Sequence, residues 1–188
     1  MFNKVKNIWP SHSSNSSKRA QGGVVPADAI DPNAVLNDDN YDEFVQEVLV
    51  AHNHYRSLHG VRPLELKDEI SRYSLKWAKT MAKDKQMKHS LPSDRPNYGE
   101  NIYYFSGKYI HGNHVVESWY NESIDHNYQY GKEPKDLRAG HFTQVVWKDS
   151  TYLGVGATVW DKGLFVVCNY EPHGNIIGQF VRNVPPPI

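Results

Sequence analysis

Ten histidines, one cysteine and a scatter of serines are the side chains of this 188-residue chain with the most chemistry to offer. A neutral imidazole ligates divalent cations or shuttles a proton, and a serine attacks only where a base is held against it. The short motifs that arrange such groups are missing, since there is no His-Glu-x-x-His helix and no Gly-x-Ser-x-Gly elbow. His52, His54 and His59 share one helical stretch but not one face, and they read as surface or core-edge residues. His111 and His114 flank Gly112-Asn113 and read as solvated loop residues. Cys168 stands alone, which forbids an intrachain disulfide and suits a reducing compartment; its apolar strand neighbours predict a buried thiol. Asn15-Ser16-Ser17 and Asn121-Glu122-Ser123 match the acceptor triplet for N-glycosylation.

The elements that must position any site follow from hydrophobic periodicity. Phe44, Val48, Ala51, Tyr55 and Leu58 recur at steps of three and four, which predicts an amphipathic helix capped by Asn40 and ended by Gly60. A second helix follows Asp68, with Ile70, Tyr73, Trp77 and Met81 on its apolar stripe and Lys76, Lys79 and Lys83 elsewhere. Pro92 and Pro96 hold an open connection to a short strand over 101–105. Val115, Trp119 and Glu122 share a face of a third helix over 115–123, so Glu122 is expected to point inward. Two β-rich runs, 153–160 and 164–170, flank Asp161-Lys162-Gly163 and predict a hairpin. Helices and antiparallel strands without regular βαβ units indicate an α+β layered domain.

Composition bounds the partners. Lys+Arg and Asp+Glu number 21 each, so no global field recruits nucleic acid and any electrostatic attraction is local. No apolar run approaches the ~20 residues that cross a bilayer. Residues 1–33 hold Lys4, Lys6, Lys18 and Arg19, a serine-rich patch and no acid before Asp28. They read as a flexible basic tail ahead of one folded domain over 34–188, with a transit peptide or an arm for anionic lipid as alternatives. Phe2 occupies the place where myristoylation needs glycine.

Three segments resemble, in order, the signatures of the CAP superfamily of cysteine-rich secretory, antigen 5 and pathogenesis-related proteins. They are Gly99-Glu100-Asn101-Ile102, Gly140-His141-Phe142-Thr143-Gln144-Val145-Val146-Trp147, and Phe165 through Asn175. Ala51-His52-Asn53-His54-Tyr55-Arg56 is similar to the family's first helix. The resemblance implies a three-layer α-β-α sandwich with a mostly antiparallel central sheet. With its lone Cys168 the chain is similar to the disulfide-free Golgi-associated plant pathogenesis-related and helminth venom-allergen-like subgroups.

Carried over residue by residue, the resemblance implies a cleft lined by His89, Glu100, Glu122 and His141. Its expected cofactor is a divalent metal, zinc by ligand type, with the glutamates as ligands or as supports behind the imidazoles. The alternative for the same four residues is a hydrogen-bond network that knits helices to sheet. The family's associations further imply binding of lipid or sterol, or of an anionic membrane surface. A covering loop over 106–113 would then contribute Phe105, Tyr109 and Ile110. A homodimeric scaffold is a third reading. A hydrolase, using metal-activated water or Ser106 approached by His89 or His141, is the catalytic alternative. The lone cysteine, and the crowding that a glycan on Asn121 would impose on Glu122, favour an intracellular, membrane-peripheral setting, with a secreted one left open.

Overall fold

A computed structural model of the chain describes residues 33–91, 93 and 96–188. The basic tail, Phe2, the Asn15 triplet and Pro92 lie outside the described residues. In chain order the elements are α1 (Asp38–Leu58), β1 (Glu65–Leu66), α2 (Asp68–Asp84), β2 (Gly99–Phe105), α3 (Gly112–Asp125), α4 (Gly140–Val145), β3 (Tyr152–Trp160), β4 (Gly163–Glu171) and α5 (Phe180–Asn183). The four strands form one sheet in the order β1-β3-β4-β2. β3 pairs antiparallel with β4 and β4 antiparallel with β2, while the two-residue β1 runs parallel to β3. The sheet is therefore mixed and mostly antiparallel.

Side-chain alternation along the strands separates two covered faces. Leu153, Val155 and Ala157 of β3, with Leu164, Val166, Cys168 and Tyr170 of β4, join the large core under α1, α3 and α4. The intervening Phe165 and Val167 meet Ala78 and Met81 of α2, together with Ile102 of β2. Because β4 is buried on both faces, its sequence is a continuous apolar run rather than an alternating one. Gly154 and Gly156 let α2 settle directly on β3, since a Cβ at either would overlap the backbone of Ile70, Ser74 or Leu75. The result is an α-β-α sandwich with α2 on one side and the α1, α3, α4 layer on the other.

α1 is anchored end to end. Asn37 is its cap, accepting from Asp39 N at 2.9 Å, and Asn40 answers by accepting from Asn37 N at 2.8 Å. The expected cap Asn40 thus sits inside the first turn as the reciprocal member of a capping box. At the far end Gly60 takes φ 63°, the left-handed conformation that closes the helix. Between them Arg56, wholly buried, donates to the carbonyls of Arg62, Val145, Trp147 and Ser150. Cys168 is buried as expected, and burial pushes its thiol pKa up.

Candidate functional site

The four residues that the resemblance singles out form two His–Glu pairs near the Gly99 end of β2. Glu100 faces the α2 side, where its carboxylate is fully enclosed. It accepts from His89 Nδ1 at 2.9 Å, from Ser90 N at 2.9 Å and from Ser90 Oγ at 2.7 Å, with Asn169 Nδ2 at 3.4 Å. The neighbouring strand residue, Asn101, faces the α3 and α4 side and bonds the His141 carbonyl at 3.1 Å. Consecutive strand positions thus address the two pairs from opposite faces. His89 is the more open imidazole, its side chain 56% exposed against 31% for His141.

Glu122, on the inner face of α3 as its helical spacing predicts, serves His141 twice. Oε1 accepts from the ring Nδ1 at 2.6 Å. Oε2 accepts from the backbone N of His141 at 3.0 Å and of Phe142 at 3.2 Å. Those are the amides that a capping side chain would satisfy, and Ala139, at the N-cap of α4, has no side chain that could do so. Glu122 therefore caps α4 from another helix while fixing the ring of its second residue. The Trp119 indole lies parallel to the His141 ring at 6.0 Å.

A carboxylate only accepts, so in each pair Nδ1 carries the hydrogen, and in the neutral form of the ring Nε2 is the nitrogen with the lone pair. Among the described residues neither Nε2 has a hydrogen-bond partner. Each pair thus offers one imidazole nitrogen not used in binding its carboxylate, and imidazole nitrogen is the donor type that suits zinc-like cations. The carboxylate oxygens are occupied as acceptors behind the rings. Among the described residues no three His, Cys, Asp or Glu side chains are gathered to hold an ion, so the arrangement is two pairs rather than a closed cage.

Other candidates sit elsewhere. Ser106 is exposed beyond the far end of β2, five residues past Asn101 and so about 16 Å along an extended strand, and neither His89 nor His141 is brought to it. Ile110 is in the core, while Phe105 and Tyr109 are half-buried against it. The covering loop is shorter than expected, because α3 starts at Gly112 rather than near Val115. There the α3 backbone presses on α1, a Cβ on Gly112 falling 2.7 Å from the Phe44 carbonyl oxygen. His111 and His114 accordingly belong to the helix start rather than to a loop: His111 occupies the N-cap position, without a cap bond from its own side chain, and His114 lies in the first turn. Glu47 of α1 accepts from His111 Nδ1 at 2.8 Å and from Gly112 N at 2.7 Å, and this carboxylate raises the His111 pKa.

His52 is not at the surface or core edge. It is fully buried, with Nδ1 2.8 Å from the Val48 carbonyl and Nε2 2.7 Å from the Tyr170 hydroxyl. His59 is also buried, between the Pro185 carbonyl and the Tyr120 hydroxyl. Sequence reasoning missed Ser90 and Asn169, the donors around Glu100; each adjoins a residue already singled out, but nothing in their spacing predicts the convergence.

Comparison with known proteins decides the kinship. The profile of the cysteine-rich secretory protein family, CAP, matches residues 49–170. The chain belongs to the CAP family. Among CAP relatives, the human Golgi-associated plant pathogenesis-related protein 1 is 39% identical over 148 residues, covering 77% of this chain and 94% of the relative. Pathogenesis-related protein 1C of Nicotiana tabacum is 35% identical over 135 residues, covering 71% and 78%. The crystal structure of NaASP2 with Zn2+ has the same CAP fold, with a TM-score of 0.66 at 24% identity over 82% of this chain and 91% of that one.

Proposed function

We propose that this CAP protein works by binding, and that its cleft takes a divalent cation through Nε2 of His89 and His141. The observation that carries the reading is the shared form of the two pairs: each ring is pinned at Nδ1 by a carboxylate, which fixes the tautomer and leaves Nε2 as a lone-pair donor. Carboxylate-supported imidazoles are the usual outer architecture of a zinc ligand. Glu100 and Glu122 would act behind the rings rather than on the metal, since their oxygens already accept from protein groups. Two protein nitrogens are fewer than the three or four of a tight site, so His89 and His141 would hold the cation weakly, with its remaining positions left to ligands from outside the protein. Support comes also from the zinc-bearing NaASP2 structure, which shares the fold.

Lipid, sterol or a partner protein is the ligand class we assign by family kinship. A membrane-peripheral setting is supported by the Golgi-associated relative, and no helix among the described residues is long and apolar enough to cross a membrane.

Calorimetric titration with zinc tests the cation. Binding should be lost in the His89→Ala/His141→Ala double variant, weaken roughly 10- to 100-fold in Glu122→Gln, and fall as protons compete at low pH. Unchanged zinc binding in the double variant would place the ion elsewhere.

A further inference from the structure

Behind His141 runs a chain of buried hydrogen bonds in which the direction of each bond is determined. His52 Nδ1 faces the Val48 carbonyl at 2.8 Å, so that nitrogen carries the hydrogen and Nε2 is the acceptor. The Tyr170 hydroxyl, 2.7 Å from Nε2, must then donate to it. Its oxygen is left to accept from Asn101 Nδ2 at 3.1 Å. The same amide nitrogen donates its second hydrogen to the His141 carbonyl at 3.1 Å. Reversing any one bond would set donor against donor or acceptor against acceptor. His52 and Tyr170 are wholly buried and Asn101 nearly so, which keeps water from substituting for a lost partner.

We propose that Tyr170 and Asn101 are positioning residues for His141, the wire from Val48 through His52, Tyr170 and Asn101 setting where its Nε2 points. The inference rests on the cation reading of the cleft and deepens it. α4 is six residues long and lacks a local cap, so little inside the helix fixes its position. Glu122 holds the His141 amide and ring from α3, and Asn101 holds its carbonyl from β2. Two elements thus grip one residue by three of its four polar atoms. The fourth, Nε2, takes its aim from them. None of the wire's side chains is among the proposed ligands; they act through the His141 backbone.

The test uses the full chain with zinc as the probe. Tyr170→Phe removes the hydroxyl but keeps the ring, and Asn101→Ala breaks the wire while leaving Tyr170 in place. Val167→Ala, in the core on the α2 side of the sheet, is the control for lost packing. Each is read by zinc affinity, by thermal unfolding, and by long-range proton–nitrogen spectra of the histidine rings in the metal-free protein. Both wire variants should weaken zinc binding about tenfold, the lower end for outer-support losses. They should move the His141 ring signals and leave those of His89 in place, whereas Val167→Ala lowers stability without either effect. Wild-type affinity and an unmoved His141 ring in both wire variants would overturn the proposal alone. Absence of zinc binding by the wild-type protein would overturn the cation reading, and this proposal with it.

Discussion

Arg56 Nη2 donates to the Ser150 carbonyl at 2.9 Å, joining α1 to the segment that enters β3 across 94 residues of sequence. The same guanidinium serves Val145 and Trp147 at the end of α4 and Arg62 after α1, and among the described residues no carboxylate is bonded to it. Four carbonyl dipoles stand in for a counterion. Desolvation pulls its pKa down to about 10, which leaves it charged at neutral pH.

Truncating this side chain would leave buried acceptors without donors. Arg56→Ala should cost about 3 kcal/mol or more and lower Tm by roughly 10 °C. Arg56→Lys should recover only part of it, because an ammonium cannot reproduce the planar fork. Urea denaturation reads both, and a loss below about 1 kcal/mol for Arg56→Ala would show the fork to be dispensable.

Acid should destabilise the fold through His52. Desolvation lowers its pKa from 6.5 to about 4 in the folded chain. Above pH ~6.5 both states are neutral and the contribution is complete; as pH falls toward 4 the unfolded chain gains a proton that the folded one refuses. Between pH 7 and pH 5 this amounts to about 2 kcal/mol. His52→Gln keeps an acceptor for Tyr170 and has no titrating ring, so its unfolding free energy should change less over that interval. Equal losses in both proteins would assign the acid sensitivity to other groups. His111 acts with the opposite sign: Glu47 raises its pKa, so its contribution is present at low pH and lost as pH rises through the folded value.

Close approach of α2 to the sheet can be probed at Gly156. A methyl group there would overlap the backbone at Ser74 and Leu75, which cannot yield as a side chain can. Gly156→Ala should cost about 3 kcal/mol. Gly140→Ala, whose added Cβ would find its nearest neighbour at 3.6 Å, should cost under about 1 kcal/mol. Similar stabilities for the two variants, by thermal unfolding, would mean that α2 shifts freely on β3.

The layers were legible in the chain because periodicity reports burial directly. The apolar steps of 44, 48, 51, 55 and 58 became α1, and the runs on either side of Asp161-Lys162-Gly163 became β3 and β4. The inward aim of Glu122 followed from the same arithmetic. Its second task did not, because capping α4 from α3 spans 19 residues and leaves no local signature. Nor does pattern distinguish a buried histidine from an exposed one: His52 is tolerated in the core only because a carbonyl and a hydroxyl meet it there. The start of α3 was missed for a related reason. Its cap is supplied by Glu47 from α1, so the usual local signal is absent. The cleft set, by contrast, was assembled from family resemblance, since His89 and Glu100 stand 11 residues apart with nothing between them to announce a pair.

The order of strands in the sheet also constrains how the chain is made. β3 and β4 occupy the two central places, yet they are the last strands to be synthesised. Until they emerge, β1 has no neighbour, β2 has no partner and α2 has no surface to lie on. A nascent chain ending before Tyr152 can pack α1, α3 and α4 on one another but leaves the sheet-facing sides of these helices, and all of the apolar stripe of α2, uncovered. Assembly must therefore wait for the C-terminal hairpin and then proceed through contacts distant in sequence, a slow kind of folding that leaves apolar surface open in the interval.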